Sequence, residues 1–137
     1  MDRTLLNEIL AKEDGSLSFG NFMVSDKIKI NDFEHIGNIY NLRSHDKVTR
    51  LEKNGELLLE TVPGAHIENL LLDENNCSFC ITSAGNLQLT IGLLPNETYK
   101  LAIDGADRGD ISTNASGKAS FSIDAQNPKK VAIIRNH

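Results

Sequence analysis

Hydrophobic spacing divides this chain near Gly15. Before it, Leu5, Leu6, Ile9 and Leu10 recur at helical intervals with charged residues between them. That spacing predicts a short N-terminal α-helix over 3–13, capped by Asp2 or Thr4 and stopped by Gly15. After Gly15 the period drops to two. "SLSFGNFMVS", "KIKIND" and "GNIYNLRS" alternate or cluster as short strands do. "KVTRLEKNGELLLETV" is the clearest hairpin, because Asn54-Gly55 accepts the positive φ angles of a type I′ turn. Further turns are expected at 63–66, 73–76, Ala84-Gly85, Asp104-Gly105 and 114–117, and "KKVAIIRN" supplies a final strand. The pattern predicts an all-β fold: an antiparallel β-sandwich, or two small packed sheet units, behind the short helix. Its parts are the helix, a first β region over 16–83 and a second over 86–137, all within one domain.

Two phrases break the alternation. Leu57, Leu58 and Leu59, and then Leu70, Leu71 and Leu72, put apolar side chains on both faces of their strands. A sheet in a two-layer sandwich ordinarily keeps one face wet. Something is therefore expected to cover the second face. The helix can cover one patch, and a second copy or a protein partner the rest. The candidate interface residues are Leu5, Leu6, Ile9, Leu58 and Leu71.

Composition narrows the function. At 137 residues the chain suits one domain with its own core. Its net charge is −5 and no basic stripe occurs, which argues against nucleic acid and anionic membrane surfaces as partners. No apolar run reaches the ~18 residues of a membrane-spanning helix. A cytoplasmic protein is the expectation.

Candidate chemistry is sparse. Cys77 and Cys80 form a CxxC, but on a strand residues three apart face opposite ways, and a structural zinc site needs two more ligands. Reduced cysteines are the simpler reading. Asp32, Glu34 and His35, with His45 and Asp46, could be imagined as metal ligands; a solvated strand edge and turn explains them better. His66 has no assignable partner. Asp104, Asp107 and Asp110 lack the alternate spacing and terminal Glu of a calcium loop and read as a hairpin turn. Asn76, Asn96 and Asn114 begin glycosylation sequons by pattern and read as turn residues. No nucleophile elbow, phosphate-cradling loop or zinc-protease helix is present. The residues call for no catalytic set, cofactor or metal. Sugar binding is the alternative, although most of the aromatics, 5% of the chain, are expected in the core.

Two resemblances add expectations. Leu93-x-Pro95-x-x-x-Tyr99 resembles the tyrosine corner of fibronectin type III sandwiches, in which the Tyr hydroxyl bonds backbone a few residues upstream. The resemblance covers about 86–135 and implies a fibronectin-like second region; the early-strand Trp of that family is missing. More widely, Ser18-Phe19-Gly20, Thr49-x-Leu51-Glu52-Lys53-Asn54-Gly55 and Glu60-x-Val62-Pro63-Gly64 are similar to phrases in small bacterial proteins, some labelled endosialidase. That label implies hydrolysis of polysialic acid. A sialidase gathers several arginines around a carboxylate, and here Arg3, Arg43, Arg50, Arg108 and Arg135 fall on different expected elements. A non-catalytic structural or interaction module, self-associating through apolar strand faces, is the favoured expectation.

Overall fold

The computed structural model describes residues 7–73 and 75–136. Every regular element among the described residues is a strand. In chain order they are β1 (Leu10–Ala11), β2 (Leu17–Phe19), β3 (Ile28–His35), β4 (Asn38–Ser44), β5 (Thr49–Lys53) and β6 (Glu56–Val62). There follow β7 (Ala65–Leu72), β8 (Asn76–Ser83), β9 (Asn86–Gly92), β10 (Thr98–Ile103), β11 (Ala106–Ser112), β12 (Lys118–Asp124) and β13 (Lys129–Arg135). They form two antiparallel sheets packed as a sandwich. One sheet has seven strands in the order β1-β2-β7-β8-β13-β10-β11, the other six in the order β12-β9-β6-β5-β4-β3. Each sheet draws strands from both 16–83 and 86–137, so the two expected β regions interleave around one core.

Turn chemistry closes the hairpins. Asn54 and Gly55 have φ of 53° and 84° between the paired ends Lys53 and Glu56. Asp104 and Gly105 repeat this at 51° and 81° between Ile103 and Ala106. These are the left-handed conformations that a two-residue turn requires. The β3–β4 hairpin uses Ile36-Gly37 in the same way, with Ile36 at φ 47°. A β-branched residue there is unusual.

No helix occupies the described part of 3–13. Leu5 and Leu6 lie outside the described residues. From residue 7 onward the chain is extended or turning, and Leu10 and Ala11 pair with Ser18 and Leu17 of β2. The physical reason is a period of two hidden in the apolar run. Ile9 is buried in the core while Leu10 is exposed. The Lys12 N–H donates to the Ser16 carbonyl, so the segment folds back as a strand on the β2 edge.

The leucine triplets are resolved by bulges. Leu51 pairs with Leu59 while Glu52 pairs with Leu57, which leaves Leu58 as an extra residue. The bulge turns Leu58 and Leu59 toward the same side, and both are buried in the core. In β7 the pairing slips between Glu68↔Cys80 and Leu71↔Ser78. Asn69, at φ 57°, absorbs the extra residue. Alternation before it faces Ala65 and Ile67 inward; after it, Leu70 and Leu72 face inward and Leu71 outward. Each strand thus keeps one wet face.

The core is one cluster between the sheets. Phe19, Leu42, Leu51, Leu59, Ile67, Ile81, Leu89, Ile91, Tyr99 and Ile133 are among its fully buried members. Each such side chain contributes roughly 1.5–3 kcal/mol of transfer free energy, before conformational entropy is set against it. Tyr99 anchors the corner before β10: the Leu94 N–H donates to its hydroxyl at 3.2 Å. A separate polar tie joins the sheets. The Thr49 hydroxyl, on β5, donates to the Ala65 carbonyl at 3.0 Å and accepts the Ala65 N–H at 3.1 Å.

Candidate functional site

The alternation that fills the core assigns the opposite face of the six-stranded sheet. Residues between the buried ones of β4, β5, β6, β9 and β12, and between the half-buried ones of β3, point outward. Register then brings one residue per strand into a single row. Ser120 lies opposite Thr90, Thr90 opposite Glu60, Glu60 opposite Arg50, Arg50 opposite Arg43, and Arg43 opposite Lys29. Side chains directly opposite one another start about 4.5–5.5 Å apart at Cβ. The row therefore sets three cations side by side on β3, β4 and β5.

Only one of the three is balanced. Arg50 donates to Glu60 Oε2 at 2.9 Å and, through Nε, to Glu52 Oε2 at 3.2 Å. The hydrogen bond it donates to Glu60 is the main reason its guanidinium is held charged beyond the ordinary Arg range. Lys29 and Arg43 have no carboxylate partner among the described residues. Both are exposed. Below the row, Glu52 lies opposite Asn41, whose Oδ1 accepts the Asp32 N–H at 2.9 Å. Asn31, Asn41, Arg43, Arg50 and Glu52 line a shallow polar cleft of about 200 Å³. The arrangement offers fixed donors to an anionic or hydroxyl-bearing ligand. It places no nucleophile beside a base.

The other candidates fall where packing or turns account for them. Cys77 and Cys80 are free thiols on β8, the first buried and the second partly so. Burial, followed by the nearby Asp73 carboxylate, pushes the Cys77 thiol up to about 12. Asp32 and Glu34 are exposed on the edge strand β3, Asp32 at its bulge. His45 Nδ1 sits 3.4 Å from its neighbour Asp46. His66 is buried; its Nδ1 lies 3.2 Å from the Gly20 carbonyl and its Nε2 3.7 Å from Glu68. Asp107 Oδ1 accepts the Gly109 N–H at 2.8 Å in the β11 bulge, which is what lowers its carboxyl below the usual range. Among the described residues no three His, Cys, Asp or Glu side chains gather as a metal set.

Of the expected interface residues, Ile9 and Leu58 are buried in the core, at 5% and 8% exposure. Leu71 is 39% exposed and remains on the outer face of the seven-stranded sheet. The apolar strand faces expected from the two triplets are thus filled by the protein itself, apart from Leu71. Arg43 and Arg50, which look scattered in sequence, are brought together. A signal for this was available: a hairpin closed at Ser44 and Thr49 sets Arg43 opposite Arg50.

Clefts elsewhere are small or open. One of about 290 Å³ lies at the end of the sandwich between Arg108, Asp124, Gln126, Asn127 and Lys129. Another, about 530 Å³, is an open trough along the loop holding Ser25, Asp26 and Lys27. Neither holds a side-chain pair hydrogen-bonded as nucleophile and base. No family model, curated protein or solved structure matched the chain in comparisons with known proteins. The resemblances to fibronectin type III domains and to endosialidase-labelled proteins therefore rest on their sequence phrases alone.

Proposed function

We propose that the protein is a non-catalytic interaction module that self-associates and presents the cation row of its six-stranded sheet to an acidic protein partner. The observation that carries this reading is the unbalanced pair Lys29 and Arg43 beside Arg50. Like charges directly opposite on a ladder are destabilising, and carboxylates of a partner relieve that repulsion. An Arg fork suits bidentate carboxylates. A broad, flat face suits a surface better than a small molecule, which favours a deeper concavity. No cofactor is invoked. Two free thiols favour a reducing, cytoplasmic setting.

Sugar binding is the second reading. The amides of Asn31 and Asn41 beside Arg43 favour it, since they can hydrogen-bond hydroxyls. The want of a stacking ring weakens it: Tyr40 is buried, and Phe33 and Phe121 pack against the core. Sialidase-type hydrolysis ranks last, because Arg43 and Arg50 face no Tyr nucleophile backed by an acid.

Amide chemical shifts test the reading. Poly-glutamate is expected to move the signals of Lys29, Arg43 and Arg50, with the effect fading as salt rises. Arg43→Glu is expected to abolish it. A response to neutral glycans but not to poly-glutamate would favour the sugar reading. Silence toward acidic peptides and glycans alike would remove this face as a binding surface.

A further inference from the structure

A sandwich of open sheets has four free edges, and three of them here are blunted. The β1 edge is two residues long. The β3 edge carries a bulge at Asp32, φ 57°, together with Lys29 and Glu34. The β11 edge carries a bulge at Gly109, φ 90°, together with Asp107, Arg108 and Asp110. Short length, bulges and charge are the usual devices that stop strand edges from pairing with other chains.

The fourth edge is neither short nor bulged, and its charges lie only at its two ends. β12 pairs with β9 through seven consecutive residues, Lys118 to Asp124, with no register shift. Between its two end charges runs Ala-Ser-Phe-Ser-Ile, with no Pro, Gly or charge. The direction of its backbone is readable. The Lys118 N–H donates to Asn114 Oδ1 and the Lys118 carbonyl accepts the Asn114 N–H, both in the preceding turn and away from β9. By the alternation of an antiparallel ladder, Ser120 and Ser122 point their N–H and C=O groups the same way, off the free edge.

The geometry points to a symmetric dimer in which β12 pairs antiparallel with β12 of a second copy about a two-fold axis at Phe121. The sequence is self-complementary in that register. Lys118 lies opposite Asp124 of the second copy, and Asp124 opposite its Lys118. Neither side chain has an opposite charge within its own chain among the described residues. Ser120 meets Ser122, the pair whose backbone groups face outward, so four backbone hydrogen bonds close across the axis. Phe121, part-exposed at the open side of the core, meets Phe121 of the second copy and covers it. The two six-stranded sheets become one twelve-stranded sheet, and both cation rows lie on its same outer face. This rests on the self-association in the proposed function and gives it a surface.

Light scattering and sedimentation of the full chain test it. The protein is expected to be a dimer. Ser122→Pro removes an outward N–H and leaves the β9 ladder intact, a position where an edge strand tolerates Pro; a monomer is expected. Lys118→Glu turns two cross-strand attractions into repulsions and is expected to weaken the dimer roughly tenfold. The swap of Lys118→Asp with Asp124→Lys is expected to restore it, an outcome only this register produces. Lys118→Glu keeps the proposal open to refutation should the Pro variant fail to fold. A monomeric wild-type protein at millimolar concentration would overturn both this dimer and self-association altogether. An oligomer indifferent to the charge reversal would overturn the β12 pairing and leave self-association standing.

Discussion

Thr49 and Thr61 offer a paired experiment on what the buried polar groups contribute. They lie directly opposite on β5 and β6, and both are fully buried. Their surroundings differ. The Thr49 hydroxyl satisfies both backbone groups of Ala65, itself buried, and stands 2.9 Å from the Ser44 hydroxyl. The Thr61 hydroxyl has no hydrogen-bond partner among the described residues. Thr→Val keeps the shape at each site and removes only hydroxyl bonding. At position 49 it strands a buried N–H and a buried C=O, each costing about 1–3 kcal/mol, for a loss of roughly 2–4 kcal/mol with partial relaxation. Ser44 retains the bond it accepts from the Asn21 N–H. At position 61 the substitution removes a hydroxyl already buried without a partner, and a gain of about 1 kcal/mol is expected. Urea unfolding of the two variants measures this, with the slope against denaturant unchanged in both. Equal losses at both sites would refute the reasoning, because they would tie the effect to the substitution rather than to the partners.

Two further outcomes follow from burial and hydrogen bonding. Tyr99→Phe removes the acceptor of the Leu94 N–H and should cost about 1 kcal/mol in the same assay, by release of the corner before β10. The raised Cys77 pKa sets an alkaline limit: the group favours the folded state fully below its ordinary pKa of 9.0, and that contribution is lost as pH rises toward about 12. Wild-type stability should therefore fall more steeply with pH in that window than that of Cys77→Ala, by up to about 1.4 kcal/mol per pH unit. Thiol labelling provides a direct check, with Cys80 reacting in the folded protein and Cys77 only on unfolding.

The turns were the most legible part of this sequence, because their residues specify backbone angles locally. Asn54-Gly55 and Asp104-Gly105 close hairpins as their positive φ angles require. Ile36-Gly37 does the same work invisibly, since nothing about Ile advertises a left-handed conformation. The all-β sandwich was legible from the period of two. The phase of that period was not. Phase is set by bulges, and a bulge such as the one at Asn69 is decided by two neighbouring strands at once. Asn69 donates its N–H to the Ser18 hydroxyl on β2 and accepts a hydrogen bond from Lys12 on the loop after β1. Without those distant partners, Leu70, Leu71 and Leu72 read as a two-faced apolar strand.

The same dependence explains the surface. Arg43 and Arg50 become neighbours only once β4 and β5 are in register, and Lys29 joins them only through the β3 pairing before its bulge. Without that bulge the register set by the Ile36-Gly37 turn would place Lys29 opposite the buried Ser44, turn it toward the core side and break the row. The irregularities that obscured the fold therefore also position its charges. By contrast, β12 has no irregularity, and its side chains follow from sequence alternation alone: Ala119, Phe121 and Ile123 inward, Ser120, Ser122 and Asp124 outward. An edge that regular, left open beside three that are blunted, is the feature of this fold that asks for a second chain.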